Sequence, residues 1–214
     1  VILTKHTHAT IEIDDAHGHL LVDPGTYTPN APELLARTSA VLLTHGHPDH
    51  ADVEAIGAAL AADPDLRVWG PRDAVAGWLE AYPGRVMAAE PGQVVVAGGI
   101  DVEVFPAAHA SIHPDISLPE HLAFMIGGRV FHPGDSYAVP AVEVDMLLVG
   151  VSGPWAVLAD AVEQVRAVEP RRAVMIHDTM LSDAGLAATE RWLSSGMLSP
   201  VDFERLAVGE STEV

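Results

Sequence analysis

The segment Thr44-His45-Gly46-His47-Pro48-Asp49-His50 places four side chains able to ligate a metal within six residues. Alternate residues of an extended backbone project the same way, so His45 and His47 can grip one ion. Gly46 relieves the backbone between them. A turn into a helix from Pro48 would aim Asp49 and His50 at a second ion, with the helix N-terminus suiting a carboxylate or hydroxide. The chain has no cysteine. Imidazole and carboxylate ligands without thiolate suit zinc, manganese or iron.

Two ions need more than four ligands. Three further candidates follow apolar, strand-like runs: His109 after 100–105, Asp135 after 129–132, and His177 after 173–176. Loops at the ends of buried strands are where α/β folds place their chemistry.

The elements that must position these groups can be read from periodicity. Short runs at 2–4, 10–13 and 20–22 read as a hairpin or meander that ends at Asp23-Pro24-Gly25. Strands are expected at 40–43, 67–69, 94–96, 100–105, 122–126, 129–132, 146–151 and 173–176. Helices are expected at 48–62, 71–82, 155–168 and 183–194. Gly98-Gly99 and Gly127-Gly128 are hairpin signals. The tail after Pro200 is too short to fold alone and is expected to pack on the domain. Strands alternating with helices suggest two packed sheets with helices outside, and the apolar runs imply that both sheet faces are covered.

Taken in order, the His45–His50 segment, a lone His109, Gly134-Asp135-Ser136 and His177 resemble the metallo-β-lactamase-fold metallohydrolase superfamily. The likeness runs from Thr7-His8-Ala9 through Leu21-Val22-Asp23-Pro24 to His177. It is nearest to the single-domain, cysteine-free branch that includes the ascorbate-6-phosphate lactonase-like proteins. The resemblance implies an α/β fold: an αββα sandwich of two mixed sheets with helices on the outer faces and metals in a cleft at one edge. One domain over 1–214 is expected, with similar halves of about 1–118 and 119–214. By position, His45, His47 and His109 would hold the first metal. Asp49, His50 and His177 would hold the second, and Asp135 would bridge them.

The implied chemistry is metal-assisted hydrolysis. Two divalent ions about 3.5–4 Å apart can share a hydroxide and bring the pKa of its parent water to about 7. The expected cofactors are two divalent ions, zinc first, with manganese or iron as alternatives. Asp49 would take or orient the water's proton. His8 matches a family position close to the metals, and His113, in the loop 110–119, would contact substrate or donate a proton. Asp23 and Asp178 are candidate orienters of ligating histidines. His132 would lie beneath the site. His6, His17, His19 and His121 read as structural or exposed. Tyr137 and Trp155 are candidate pocket walls. Neither Ser111 nor Ser152-Gly153 sits in an elbow motif, so no serine nucleophile is expected.

Composition narrows the partners. The chain has 214 residues, and 30 acids against 11 bases give a net charge of −19, so nucleic acid and anionic membranes are disfavoured. The N-terminal stretch alternates and carries early charge, so it reads as neither a signal h-region nor a membrane span, and a cytoplasmic location is expected. The loops expected around the metals contain no lysine or arginine, which weakens a phosphorylated substrate. A small ester, lactone or amide fits better. Rival readings are phosphodiester or RNA hydrolysis, oxygen chemistry at iron, and a non-catalytic metal- or ligand-binding protein. Self-association into a homo-oligomer is left open.

Overall fold

Alternation near the N-terminus builds a meander. β1 (Ile2–Lys5), β2 (Ile11–Asp14) and β3 (His19–Val22) pair antiparallel, with Leu3, Ile11, Ile13 and Leu20 turned into the core. The computed structural model describes residues 1–201 and 203–214, to which all structural statements refer. After β3 come the short helix α1 (Ala31–Leu35), β4 (Ala40–Leu42), α2 (Val53–Ala62), β5 (Arg67–Gly70), α3 (Arg72–Leu79) and β6 (Val86–Ala88). β3 to β6 pair parallel, as strand–helix–strand crossovers require.

A second sheet follows. β7 (Val94–Ala97), β8 (Ile100–Pro106), β9 (Leu122–Ile126) and β10 (Val130–His132) are antiparallel neighbours. β11 (Met146–Gly150), α4 (Leu158–Val168), β12 (Arg172–Ile176), α5 (Asp183–Leu193) and β13 (Phe203–Glu204) complete it, with β10 to β13 parallel. The last strand, β14 (Ser211–Glu213), returns to pair with β1. The orders are β14-β1-β2-β3-β4-β5-β6 and β13-β12-β11-β10-β9-β8-β7.

The inner faces of both sheets form one apolar core, including Leu42, Phe124, Leu148 and Ile176. The outer face of the first sheet packs under α2 and α3 through Leu43, Ile56, Val68 and Trp78. The outer face of the second packs under α4 through Phe131, Val149, Val162 and Val165. This is the expected αββα sandwich.

Four details differ from the sequence reading. The chain passes from the first sheet to the second between Ala88 and Val94, ahead of the 118/119 boundary expected between its halves, because the β7–β8 hairpin pairs with β9, and β14 then returns to the first sheet. The helix expected from Pro48 begins at Val53. Asp52 caps it by accepting the Ala55 N–H at 3.0 Å, while Pro48–His50 forms a separate turn. The candidate metal-ligand segment therefore lies ahead of the helix end rather than on it. The helix expected from Trp155 starts at Leu158. The tail supplies an edge strand to each sheet, a non-local pairing that local pattern does not announce.

Candidate metal centre

Loops leaving β1, β3, β4, β8, β10 and β12 meet at one edge of the sandwich. His45 Nε2 lies 3.0 Å from His47 Nδ1, as the alternation in the loop after β4 predicts. His109 and Asp135 join them, with one ligand atom from each residue within 4.8 Å of the others. His8, Asp49, His50 and His177 form a second group by the same measure. Asp135 stands between the groups. Its Oδ1 is 2.9 Å from His50 Nε2, and its Oδ2 is 3.2 Å from His177 Nε2, 3.6 Å from His109 Nε2 and 3.9 Å from His45 Nε2.

The backs of the rings are fixed by hydrogen bonds. His50 Nδ1 donates to Asp23 Oδ2 at 2.8 Å, which leaves Nε2 for a metal. His109 Nδ1 donates to the Ala110 carbonyl at 2.7 Å, with the same consequence. Thr44 Oγ1 gives its proton to Asp23 Oδ2 at 2.7 Å, so it can only accept from His45 Nδ1 at 3.0 Å. His45 therefore also presents Nε2. The Asp23 carboxylate takes the Thr44 backbone N–H as well, at 2.8 Å. One buried carboxylate thus orients a ligand from each group.

Backbone strain gathers at the same place. His8, Asp23 and His177 adopt φ of 64°, 49° and 55°, a region that L-residues rarely occupy. Such strain persists where the surroundings over-determine it. The His177 N–H donates to the His8 carbonyl at 2.9 Å, and the Ser152 hydroxyl donates to the His177 carbonyl. Thr10 Oγ1 donates to the Asp23 carbonyl at 2.6 Å.

The donor set fits divalent metal. His50 Nε2, His109 Nε2, His177 Nε2 and Asp135 Oδ1 are buried and lack hydrogen-bond partners. Such atoms are costly to leave unmatched, and here they converge. Burial opposes a charge on Asp135, but His50, His109 and His177 outweigh it and hold the carboxyl well below the usual range. Asp49 is lowered likewise, by His177 and His8 against burial. Burial works against a proton on His50 too, yet Asp135 and Asp23 hold its pKa well above the ordinary value. His177 is raised by Asp135 and Asp49. His45 and His47 are lowered, chiefly by burial. Neutral imidazoles and ionised carboxylates are the ligand forms a divalent ion requires, and an ion would take the place of the protons on His50 and His177.

The family described as beta-lactamase superfamily domain matches residues 2–177. The chain belongs to this superfamily of metallo-β-lactamase-fold metallohydrolases. It is 32% identical over 185 residues to Protein Rv0786c of Mycobacterium tuberculosis, covering 84% of this chain and 85% of that one. It is 31% identical over 161 residues to a UPF0173 metal-dependent hydrolase of Ligilactobacillus salivarius, covering 69% and 66%. Its fold is similar to that of Igni18, a metallo hydrolase of Ignicoccus hospitalis, with TM-score 0.70, 19% identity and coverage of 100% and 99%.

Within this metallo-β-lactamase-fold site, the seven expected metal ligands come together and His8 joins them. Burial lowers the His8 pKa. A neutral ring has one N–H, and the Asp49 carboxylate 3.1 Å from Nε2 can only accept. His8 therefore spends its proton on Asp49. His113 departs from expectation. Its side chain is 62% exposed and faces Asp115, apart from the cluster, because the loop 110–119 carries it outward. Asp178 binds Lys5 at 3.0 Å rather than a ligating histidine. Arg37 pairs with Glu12.

Two histidines matter more than their sequence context suggests. His121 is buried and its Nε2 accepts the Asp135 backbone N–H at 3.0 Å. Burial pushes its pKa down to about 3, so it stays neutral and can accept. His132 lies beneath the site, where its Nδ1 accepts from Gly134 N at 3.1 Å and its Nε2 donates to the Ala9 carbonyl at 3.3 Å. Hydrogen bonding to a turn two or more residues away leaves no mark in local sequence.

A cleft of about 260 Å³ opens on the metal groups. Tyr27, Ile112, Pro154, Trp155 and Met180 wall it, and His47, Asp49, Asp135 and His177 face it. No lysine or arginine is among its lining residues. Tyr137 stands behind Trp155, with ring centroids 5.5 Å apart.

Proposed function

We propose that the chain is a metal-dependent hydrolase with a dinuclear centre that cleaves a small, uncharged ester, lactone or amide. The observation that carries this is the position of Asp135, one carboxylate between two groups of side chains in which the Nε2 atoms of His50, His109 and His177 lack partners. His45, His47 and His109 would hold one ion, Asp49, His50 and His177 the other, and Asp135 both. Zinc, manganese or iron suits these donors. Divalent ions there would supply a hydroxide-strength nucleophile at neutral pH and polarise the scissile carbonyl.

The chain's own groups do the rest. Asp49 Oδ2, within 3.4 Å of His177 Nε2 and 3.1 Å of His8 Nε2, is placed to orient an attacking water and accept its proton. His8 holds Asp49 in that pose. Trp155 and its neighbours exclude bulk water from one side of the cleft. The lack of cations in the cleft favours an uncharged substrate over a phosphate ester.

Assay of zinc- and manganese-loaded protein on lactones, thioesters and bis-p-nitrophenyl phosphate tests the reading. Turnover of the carboxylic esters, lost in Asp49→Ala with the fold intact by circular dichroism, supports it. Selective phosphodiester cleavage, or full activity in Asp49→Ala, contradicts it.

A further inference from the structure

We propose that the groove beside His47, between α2 and α3, is a second substrate subsite that takes an uncharged, apolar arm. This rests on the ester or amide reading above. The groove measures about 300 Å³ and, like the metal cleft, is lined by His47. Ligand pockets span roughly 300–1,000 Å³. The cleft falls below that range and the groove sits at its lower limit; a substrate that passes His47 and occupies both would fill a site of ordinary size.

The walls explain the chemistry. Gly46, Ala51, Val53, Ala74, Gly77 and Trp78 line the groove. Ala74 and Gly77 are three apart on α3 and so share a face. A Cβ added at Gly77 would meet nothing within 4 Å, and the residue is not in the left-handed region. Glycine inside a helix is destabilising against alanine. Neither backbone nor packing accounts for that cost here; an open groove does. Val53 is 59% exposed and offers apolar surface at the rim. The one charged lining residue, Asp73, already accepts the Glu120 N–H at 2.9 Å. With no cation in the lining, an anionic arm has no partner.

A second observation comes from the loop 110–119. It lines the metal cleft through Ile112 and the groove through Pro119. Between these two it exposes Ile116 and Leu118, at 49% and 41%. A substrate with its reacting carbonyl at the metals and its apolar arm past His47 would be matched by both walls and loop.

The test uses two chelating probes, acetohydroxamate and octanohydroxamate, titrated calorimetrically into zinc-loaded protein. Burying added methylenes in the groove should make the octanoyl probe bind about tenfold tighter or more. Gly77→Phe, which fills the groove, should reduce that ratio to about twofold or less. Val53→Asp, a charge at the exposed rim, should reduce it in the same direction and guards against a folding artefact in the first variant. Equal affinity of the two probes, or a ratio retained in both variants, would overturn the subsite. Failure of both probes to bind would count against the metal centre, and the subsite with it, whereas failure of the octanoyl probe alone would overturn only the subsite.

Discussion

The Asp23 carboxylate lies 2.8 Å from His50 Nδ1, on the opposite side of the ring from the Asp135 oxygen 2.9 Å from Nε2. His50 is thereby held between a residue that orients it and one that would share a metal ion with it. Such outer carboxylates are typically worth 10–100-fold in metal affinity. Asp23→Asn should therefore weaken zinc binding by about that factor in chelator competition. It should also cost about 1–3 kcal/mol of stability, because asparagine has one acceptor oxygen where the aspartate uses two, and the donors facing its NH2 group lose their acceptor. Unchanged affinity would show that His50 needs no orienter.

Gly134 has φ of 60°, and a Cβ there would sit 2.5 Å from His121 Nε2 and 2.8 Å from Thr44 Cβ. Gly134→Ala would force apart the residues that seat Asp135 and orient His45. Strain of this kind costs on the order of 1–3 kcal/mol before any clash is added. Urea denaturation should show a loss of at least that size, accompanied by weaker metal binding. Wild-type stability in the variant would contradict the geometry.

His121 gives a pH dependence with a definite sign. Its folded pKa is pushed down to about 3 by burial. The unfolded chain takes up a proton near 6.5, one that the folded chain refuses until about 3. Stability is therefore lost as pH falls through that window, by up to about 1.4 kcal/mol for each pH unit. His121→Gln keeps an acceptor for Asp135 N and removes the titration. Metal-free variant and parent should converge in stability between pH 6 and pH 4; parallel curves would rule out a neutral, buried His121.

Metal uptake should release protons. His50 is held protonated above its ordinary range by Asp135 and Asp23, and His177 is raised by Asp135 and Asp49. Zinc must displace protons from both rings. Calorimetry at pH 7 in buffers of different ionisation enthalpy should show at least one proton released per chain. Zero release would mean that these rings are neutral in the metal-free protein.

Much of the site was legible because metal chemistry leaves local spacing. His45 and His47 alternate in an extended loop, and His109, Asp135 and His177 each follow a buried strand. The groups that position them were less visible. Thr44 and Ser152 are ordinary polar residues until the fold brings Asp23 and His177 to them. His113 was expected to meet substrate and is exposed, His121 was read as structural or exposed and is buried against the Asp135 N–H, and His132 lies beneath the site as read. The fold shows the same division. Most strands and helices were legible from periodicity, whereas α1 is only five residues long with a proline in its first turn. β13 and β14 depend on partners far along the chain, and the sheet boundary depends on which strand β8 pairs with.

The central claim is a centre that holds two divalent ions and shares Asp135 between them. Elemental analysis of zinc-reconstituted protein after removal of free metal tests it most directly. The account predicts two zinc ions per chain. A single ion or none at saturation would contradict it.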